Sequence, residues 1–257
     1  MWRNVRIIIL LVVLAGVAFG AWFAKTHATS WNGNLRIAVY PINADQSPAT
    51  TAYISALTGE MFRDIEEFIE REARRHGRDL TRPASVSLAP EVREQPPVPP
   101  HGGNIVSIAF WSLRLRYWAW QHDKYRGPKA HVRLFVIYHD PQRTERVPHS
   151  LGLEKGLLGV VHGFAVRRAT GSNNVVITHE LLHTLGATDK YDFANNLPRF
   201  PDGYAEPDRT PRYPQSKAEI MGGRIPIDAA HAETPVSLAD AVIGARTARE
   251  INLVPKR

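Results

Sequence analysis

The sequence predicts an α+β fold, with a mixed α/β arrangement as the alternative, in which long helices pack on one mixed sheet. β-branched and aromatic runs typical of strands follow one another along the chain with amphipathic helical patterns between them. The chain has 257 residues, 44% of them hydrophobic, and six tryptophans. This length suffices for one domain with a proper core, and the composition argues against disorder.

The first 24 residues contain an apolar segment. The run from Ile7 to Ala24 has no charged residue, and its 18 residues are just long enough to cross a bilayer core as a helix. Arg3 and Arg6 precede the run, so the positive-inside rule places the amino terminus in the cytoplasm. We therefore predict one transmembrane helix, an uncleaved signal anchor, over residues 1–24.

This anchor would divide the chain into three parts. A linker is predicted over 25–34 and a single domain over 35–257, outside the cytoplasm in the periplasm or extracellular space. The small residues around Gly20 leave open a cleaved signal peptide, which would make the protein secreted. We expect the protein to contact the membrane through its N-terminal helix.

Cysteine and charge exclude several classes of function. The chain has no cysteine, so disulfides, zinc-thiolate sites and cysteine nucleophiles are excluded. The formal net charge is +7, but the basic residues are scattered and accompany no DNA- or RNA-binding motif. We expect no nucleic-acid partner, and the sequence leaves the oligomeric state open.

The first half of the chain has the following predicted elements. Leu35–Asn43 is a strand that stops near Pro41, and apolar residues at spacings of three and four predict a long helix over 50–77. A short strand over 86–88 precedes a proline-rich loop over 90–103 and a second helix over 104–122. The buried stripe of this second helix is predicted at Ile105, Ile108, Trp111, Leu115 and Trp118.

The second half begins with two apolar strands, over 131–139 and 157–166. A helix over 173–185 follows, then a long loop rich in Pro, Gly, Asp and Tyr to about residue 235. Ser237 or Asp240 would cap a last helix ending near Asn252.

The helix over 173–185 carries the most informative segment, HELLHTLGATDKYD, which starts at His179. Residues four apart lie on one face of a helix, so His179 and His183 can direct two imidazoles at one zinc ion. Glu180 lies about 100° around the helix, where it can accept a proton from a metal-bound water instead of chelating.

The residues after the helix complete the expected site. Gly186 falls where the helix must end, and glycine suits the left-handed turn that ends it. That turn lets the chain double back, so Asp189 can supply a third ligand. The alternatives for this ligand are Asp192, Asp202, Glu206 and Glu219.

The pattern His179-Glu180-x-x-His183-x-x-Gly186-x-x-Asp189 resembles the zinc-binding motif of the metzincin metallopeptidases, in the minority form that ends in aspartate. The continuation through Tyr191 and Asp192 is similar to the immune inhibitor A-type peptidases. The resemblance implies a five-stranded sheet, two long helices before the site, and a methionine turn below the zinc, for which Met221 is the candidate.

One departure concerns the tyrosine that some metzincins carry two residues after this methionine, because Gly223 stands there instead. Tyr191, Tyr204 and Tyr213 are the possible replacements. In metzincin-like folds the strand before the site helix is a sheet edge that pairs with substrate, and this role would fall to residues 160–166.

The resemblance implies a membrane-anchored, zinc-dependent endopeptidase that hydrolyses protein or peptide substrates through a zinc-bound water. Two alternatives remain open at this point. One is a zinc hydrolase that acts on cell-wall peptides or amides, and the other is a non-catalytic, membrane-anchored zinc-binding module.

Overall fold

The computed structural model describes residues 2–100, 102, 104–153 and 156–254. Its main feature is a five-stranded sheet. The strands are β1 (Leu35–Asn43), β2 (Ala84–Leu88), β3 (Val132–His139), β4 (Leu151–Leu153) and β5 (Leu158–Phe164). Their order in the sheet is β2-β1-β3-β5-β4. All neighbours are parallel except β4, which runs antiparallel to β5.

The α-helices connect these strands or follow them. They are α1 (Trp2–Ala28), α2 (Pro48–Ser55), α3 (Arg63–Arg75), α4 (Ile105–His122), α5 (Thr170–Thr184) and α6 (Ala245–Glu250). Short 3-10 helices cover Gly59–Phe62, Arg167–Ala169 and Leu238–Asp240. Four two-residue strands form two small ladders after α5: β6 (Ala218–Glu219), β7 (Ile225–Pro226), β8 (Ala232–Glu233) and β9 (Ala241–Val242).

The α+β assignment is corrected to mixed α/β with a five-stranded sheet. Helices and strands alternate along the chain, and four of the five strands are parallel. Parallel neighbouring strands require crossover connections. Helices α2 and α3 lie between β1 and β2 in the chain, α4 lies between β2 and β3, and α5 follows β5. The predicted mixed sheet is present.

The prediction of an N-terminal transmembrane helix is wrong. Among the residues that the structure describes, no helix is long and apolar enough to cross a membrane. The location outside the cytoplasm depended on this helix and stays a prediction.

Residues 25–34, expected to be a linker, are partly docked on the domain. Helix α1 continues to Ala28, and both Ala28 and Trp31 are buried in the main core. The Trp31 indole Nε1 donates a hydrogen bond to the carbonyl of Ile251 at 2.8 Å. This bond ties the chain before β1 to the end of α6.

The sheet is covered on both faces. Helices α2, α3 and α5 pack on one face against side chains such as Ile37 and Leu134, together with the segment around α6. Helix α4 packs on the other face against Tyr40 and Phe135. The site helix and α4 are therefore separated by the sheet.

Three predicted helices differ from the observed ones. The last helix, expected to begin after Ser237 or Asp240, begins at Ala245 after Gly244, and Ser237 instead caps the 3-10 helix Leu238–Asp240. The helix over 50–77 is interrupted after Ser55, and a 3-10 turn separates α2 from α3. In α4, Leu115 and Trp118 are buried as predicted, whereas Ile105 and Ile108 are exposed. The predicted stripe is therefore buried only toward the end of the helix.

The strand before α5 is not the sheet edge. β5 lies between β3 and β4 in the sheet order, so the prediction that this strand is the sheet edge is wrong, although residues 161–164 have no strand partner on that side among the described residues. β4 is the outer strand on this side, and it pairs with β5 only over Leu158 to Val160. A three-residue strand containing a glycine has too short a pattern to predict from sequence.

Candidate metal centre

Helix α5 is held firmly at its base. Ile177, Leu181 and Leu182 are all at most 1% exposed and pack the helix on the sheet, as its apolar face predicts. Near its start, Asn173 accepts a hydrogen bond from the backbone N–H of Phe164 and donates one to the same residue's carbonyl. These two bonds fix the helix to the end of β5, so its polar face has a defined direction.

The helix ends as the glycine predicts. Gly186 has φ 106°, a conformation that side chains with a Cβ rarely adopt. Its N–H bonds to the carbonyl of His183, and the N–H of Ala187 bonds to Leu182, which is the Schellman arrangement. The chain turns back here and brings Asp189 under the helix.

Three ligand atoms meet at this point. The Nε2 atoms of His179 and His183 are 3.1 Å apart, and each lies 3.1 Å from Oδ1 of Asp189. All three side chains are partly accessible to solvent. The structure therefore brings together the three residues predicted as metal ligands, and they form a group that could hold a metal ion.

Hydrogen bonds to the backbone orient both imidazoles. Nδ1 of His179 lies 2.8 Å from the carbonyl oxygen of Ile220, and Nδ1 of His183 lies 2.8 Å from that of Ala187. A carbonyl oxygen only accepts, so each Nδ1 carries a proton and each Nε2 of a neutral ring presents a lone pair. Two imidazole lone pairs and a carboxylate oxygen thus converge on one point.

This convergence requires positive charge. Burial acts to lower the pKa of His179, but the hydrogen bond to Asp189 and the nearby carboxylates raise it. Burial likewise acts to raise the pKa of Asp189, but the contacts with the two histidines hold it well below its usual range. Both pKa shifts mean that a positive charge between these three side chains is favourable, and either a proton or a metal ion can supply it.

The donor set fits zinc. Zinc in proteins prefers tetrahedral coordination by His nitrogen and carboxylate oxygen at about 2.0–2.1 Å, which places neighbouring ligand atoms about 3.3 Å apart. The observed separations of 3.1 Å are close to this spacing. Each ligating histidine also has the carbonyl partner on its second nitrogen that metal-binding histidines commonly have.

Glu180 lies beside the three ligands without joining them. It is only 6% exposed, and its Oε2 is a buried atom with no hydrogen-bond partner among the described residues. Burial raises its pKa, while the histidines at 179 and 183 and the backbone N–H of Gly152 act in the opposite direction. A buried carboxylate oxygen without a partner is costly in a structural site, and it is the arrangement that a general base needs.

The outer strand β4 covers this carboxylate. A Cβ added at Gly152 would lie 2.5 Å from the carbonyl oxygen of Glu180, 2.5 Å from Cβ of His183 and 3.2 Å from Oε2 of Glu180. Only glycine permits this approach of the strand to the helix. Gly152 was not predicted as a site residue, because the strand containing it was not predicted.

Met221 lies fully buried in the segment below His179. The carbonyl of Ile220 accepts a hydrogen bond from His179, and the carbonyl of Met221 accepts one from the N–H of Lys190 at 2.9 Å. The N–H groups of Gly222 and Gly223 both bond to the carbonyl of Glu219, which makes the tight turn that the two glycines suggested.

Glu219 anchors this turn. Its fully buried carboxylate accepts hydrogen bonds from the N–H of Gly222 at 2.8 Å, the N–H of Gly244 at 2.9 Å and the hydroxyl of Thr247 at 2.7 Å. Burial raises its pKa, and these donors act against the shift. The turn that orients His179 is thereby fixed to the start of α6.

The structure engages the alternative third ligands elsewhere. Asp202 pairs with Arg246 at 2.7 Å, Glu206 pairs with Arg209 at 2.9 Å, and Asp192 accepts from the N–H of Ala194. Glu219 is satisfied within its own turn. None of these four belongs to the cluster of histidines and aspartate that the described residues form.

Of the three candidate tyrosines, Tyr191 lies at the site. Its ring centroid is 6.4 Å from that of His179, whereas the hydroxyls of Tyr204 and Tyr213 bond to each other at 2.8 Å. Burial and the charges of Asp189 and Glu180 raise the pKa of Tyr191 to about 12. A tyrosine phenol is protonated at neutral pH even at its ordinary pKa, so Tyr191 can donate a hydrogen bond.

Comparison with known proteins leaves the family open. No family model matches this chain, and no curated protein matches it. The metzincin resemblance therefore stays a prediction that depends on residues 179–192 and Met221.

The two carbonyl partners of the histidines, like Gly152, were not predicted from the sequence. Ile220 and Ala187 act through their backbone oxygens, and a backbone acceptor leaves no signature in residue type. Only the path of the chain after the helix brings them to the imidazoles.

Proposed function

We propose that this chain is a zinc-dependent metallopeptidase that hydrolyses peptide bonds. The observation that carries the proposal is the set of three ligand atoms, 3.1 Å apart, from His179, His183 and Asp189. The unpartnered, buried carboxylate oxygen of Glu180 next to them supports catalysis over simple metal storage.

The residues have separate tasks in this proposal. His179, His183 and Asp189 would hold the ion, and a zinc ion supplies a Lewis acid and lowers the pKa of a water molecule. Glu180 accepts a proton from the attacking water at its carboxylate and delivers it to the leaving amine. Tyr191 keeps its phenol proton and donates a hydrogen bond to the oxygen on which negative charge develops.

The site architecture also supports the proposal. The five-stranded sheet, the helix carrying the histidines and the buried methionine turn are the parts that the metzincin resemblance implies. The outer strand β4 borders the site, where an extended peptide could add to the sheet.

The test compares the full chain with Glu180→Gln, using a peptide library and, in parallel, purified cell wall as substrates. We expect the chain to cleave peptides with added zinc, and Glu180→Gln to retain zinc while losing about 10²–10⁴-fold in rate. Unchanged cleavage by Glu180→Gln would overturn the general-base role. Digestion of the cell wall without cleavage of peptides would replace the peptidase by a cell-wall hydrolase.

A further inference from the structure

Asp189 differs from the two histidine ligands in how the chain holds it. His179 and His183 lie on helix α5, and a backbone carbonyl fixes each imidazole. Asp189 lies beyond the end of that helix, in a segment without regular secondary structure. The position of its carboxylate therefore depends on what fixes the residues on either side of it.

One carboxylate, that of Glu250 on helix α6, binds both neighbours of Asp189. Its Oε2 accepts hydrogen bonds from the backbone N–H of Thr188 at 3.0 Å and from the ammonium group of Lys190 at 2.8 Å. Its Oε1 accepts from the hydroxyl of Thr188 at 3.0 Å. The ammonium group of Lys190 also donates to the carbonyl of Thr188 at 2.8 Å. We call this arrangement of Glu250, Thr188 and Lys190 the Glu250 clamp.

The ion pair of the Glu250 clamp is largely buried. The side chain of Lys190 is only 3% exposed, and that of Glu250 is 19% exposed. An exposed ion pair can exchange its partners for water at little cost, but breaking a buried pair leaves a charge without a partner. The clamp therefore holds residues 188 and 190 in one arrangement.

Helix α6, which carries Glu250, is itself fixed to the domain. Ile251 is fully buried, and its carbonyl accepts the hydrogen bond from the Trp31 indole. The hydroxyl of Thr247 donates to the buried carboxylate of Glu219 at 2.7 Å. The helix can therefore serve as a rigid support for the segment that contains Asp189.

We propose that Glu250 is a positioning residue for the metal centre, which holds Thr188 and Lys190 so that Oδ1 of Asp189 stays where the two histidine nitrogens meet. Residues that orient a ligand without touching the metal commonly change the metal affinity about 10–100-fold when they are removed. This inference rests on the zinc site of the proposed function, but it does not require that the site be catalytic.

The test measures the zinc dissociation constant of the full chain by competition with a chelator. Glu250→Ala removes the clamp, and Glu250→Gln keeps an oxygen acceptor but loses the charge. Leu115→Ala is the control for lost stability, because it opens a cavity in the core on the opposite face of the sheet. Glu70→Gln is the control for a lost ion pair, since Glu70 pairs with Arg74 within α3.

We expect Glu250→Ala to raise the zinc dissociation constant about 10–100-fold and Glu250→Gln to raise it by less. Both controls should keep the wild-type dissociation constant, although Leu115→Ala unfolds at a lower urea concentration. With cobalt(II) in place of zinc, the visible absorption spectrum of Glu250→Ala should shift toward that of Asp189→Ala, because the carboxylate oxygen is no longer held at the ion.

An unchanged dissociation constant in a folded Glu250→Ala variant would overturn the proposal. An equal loss of affinity in Leu115→Ala would also overturn it, because the effect would then belong to general stability. If Glu250→Ala does not fold, Glu250→Gln is judged by the same two criteria.

The proposed function and the role of Glu250 can fail separately. If the variants show the expected zinc affinities but the wild type cleaves no peptide, the peptidase is refuted and the role of Glu250 stands. If the wild type cleaves peptides and Glu250→Ala binds zinc as tightly, the reverse holds. A wild type without affinity for zinc would overturn both.

Discussion

Gly152 on strand β4 lies so close to Glu180 on helix α5 that a Cβ on the glycine would be 2.5 Å from the glutamate's carbonyl oxygen. The contact is with backbone, which cannot rotate away as a flexible side chain can. Strand β4 and helix α5 therefore fix each other's position beside the three ligand atoms.

Gly152→Ala should disturb the site without removing any ligand. Overpacking of this kind costs about 1–3 kcal/mol, so we expect a lower free energy of unfolding in urea and a lower peptidase rate. Gly33→Ala is the control, because a Cβ there meets no atom within 4 Å. Equal free energies of unfolding of the two variants would mean that the space between β4 and α5 accommodates a methyl group at position 152.

Tyr191→Phe should lower kcat while leaving KM and zinc content close to those of the wild type. The phenol is protonated at neutral pH, and burial together with Asp189 and Glu180 raises its pKa further, to about 12. Loss of one donor to a developing oxyanion costs on the order of 10²-fold in kcat.

The control is Tyr204→Phe, whose hydroxyl bonds to that of Tyr213. An equal loss of kcat in both variants would assign the effect of Tyr191 to general structure, and no loss in Tyr191→Phe would remove it from the reaction.

Glu219→Gln should destabilise the turn below His179. The amide NH₂ group of Gln would face one of the groups that now donate a hydrogen bond to the carboxylate. Two donors would then face each other, and a buried unpaired donor costs about 1–3 kcal/mol. We expect a lower free energy of unfolding and weaker zinc binding, because the Ile220 carbonyl loses its fixed position. In the control Glu67→Gln, on the exposed surface, the free energy of unfolding and zinc binding should both be unchanged. If Glu219→Gln weakened zinc binding without lowering stability, or changed neither, Glu219 would not act by fixing this turn.

Stability should fall below neutral pH through His162. Burial and the neighbouring His139 lower the pKa of His162 from 6.5 to about 4, and the two rings share a hydrogen bond of 2.9 Å. The unfolded chain takes up a proton near pH 6.5 that the folded chain accepts only near pH 4. The stabilisation is therefore complete above pH 6.5 and is lost as the pH falls through about 4.

The measurement is the free energy of unfolding at several pH values for the wild type and His162→Gln. The variant should lose less stability between pH 7 and pH 4. If the free energy of unfolding falls equally with pH in the two proteins, the burial of His162 does not cause the loss of stability.

The site was predictable because local rules determine most of it. The four-residue spacing of His179 and His183 sets their common face, and the left-handed conformation of Gly186 ends the helix and returns the chain toward Asp189. These relations depend on residues near in sequence. The range of β1 was predicted for the same reason, because its β-branched and aromatic residues are a local signal, although the strand continues through Pro41 to Asn43.

The rest depends on contacts between distant parts of the chain. β4 is too short to have a pattern, so the true sheet edge and Gly152 could not be foreseen. Leu113 and Leu115 in α4 are chemically alike, yet one is exposed and the other buried, because the position of the sheet decides which face is covered. The transmembrane segment was predicted from an apolar run alone, and no helix in the described part of the chain is long and apolar enough to cross a membrane.

The central claim is that His179, His183 and Asp189 bind one zinc ion. The direct measurement is the zinc content of the purified full chain by mass spectrometry, after incubation with zinc and desalting, for the wild type, His179→Ala and Asp189→Ala. Because the chain has 11 histidines, His149→Ala controls for zinc on other histidines. We predict about one zinc per chain in the wild type and in His149→Ala, and little in the two site variants. Zinc absent from the wild type, or undiminished in His179→Ala, would contradict the account.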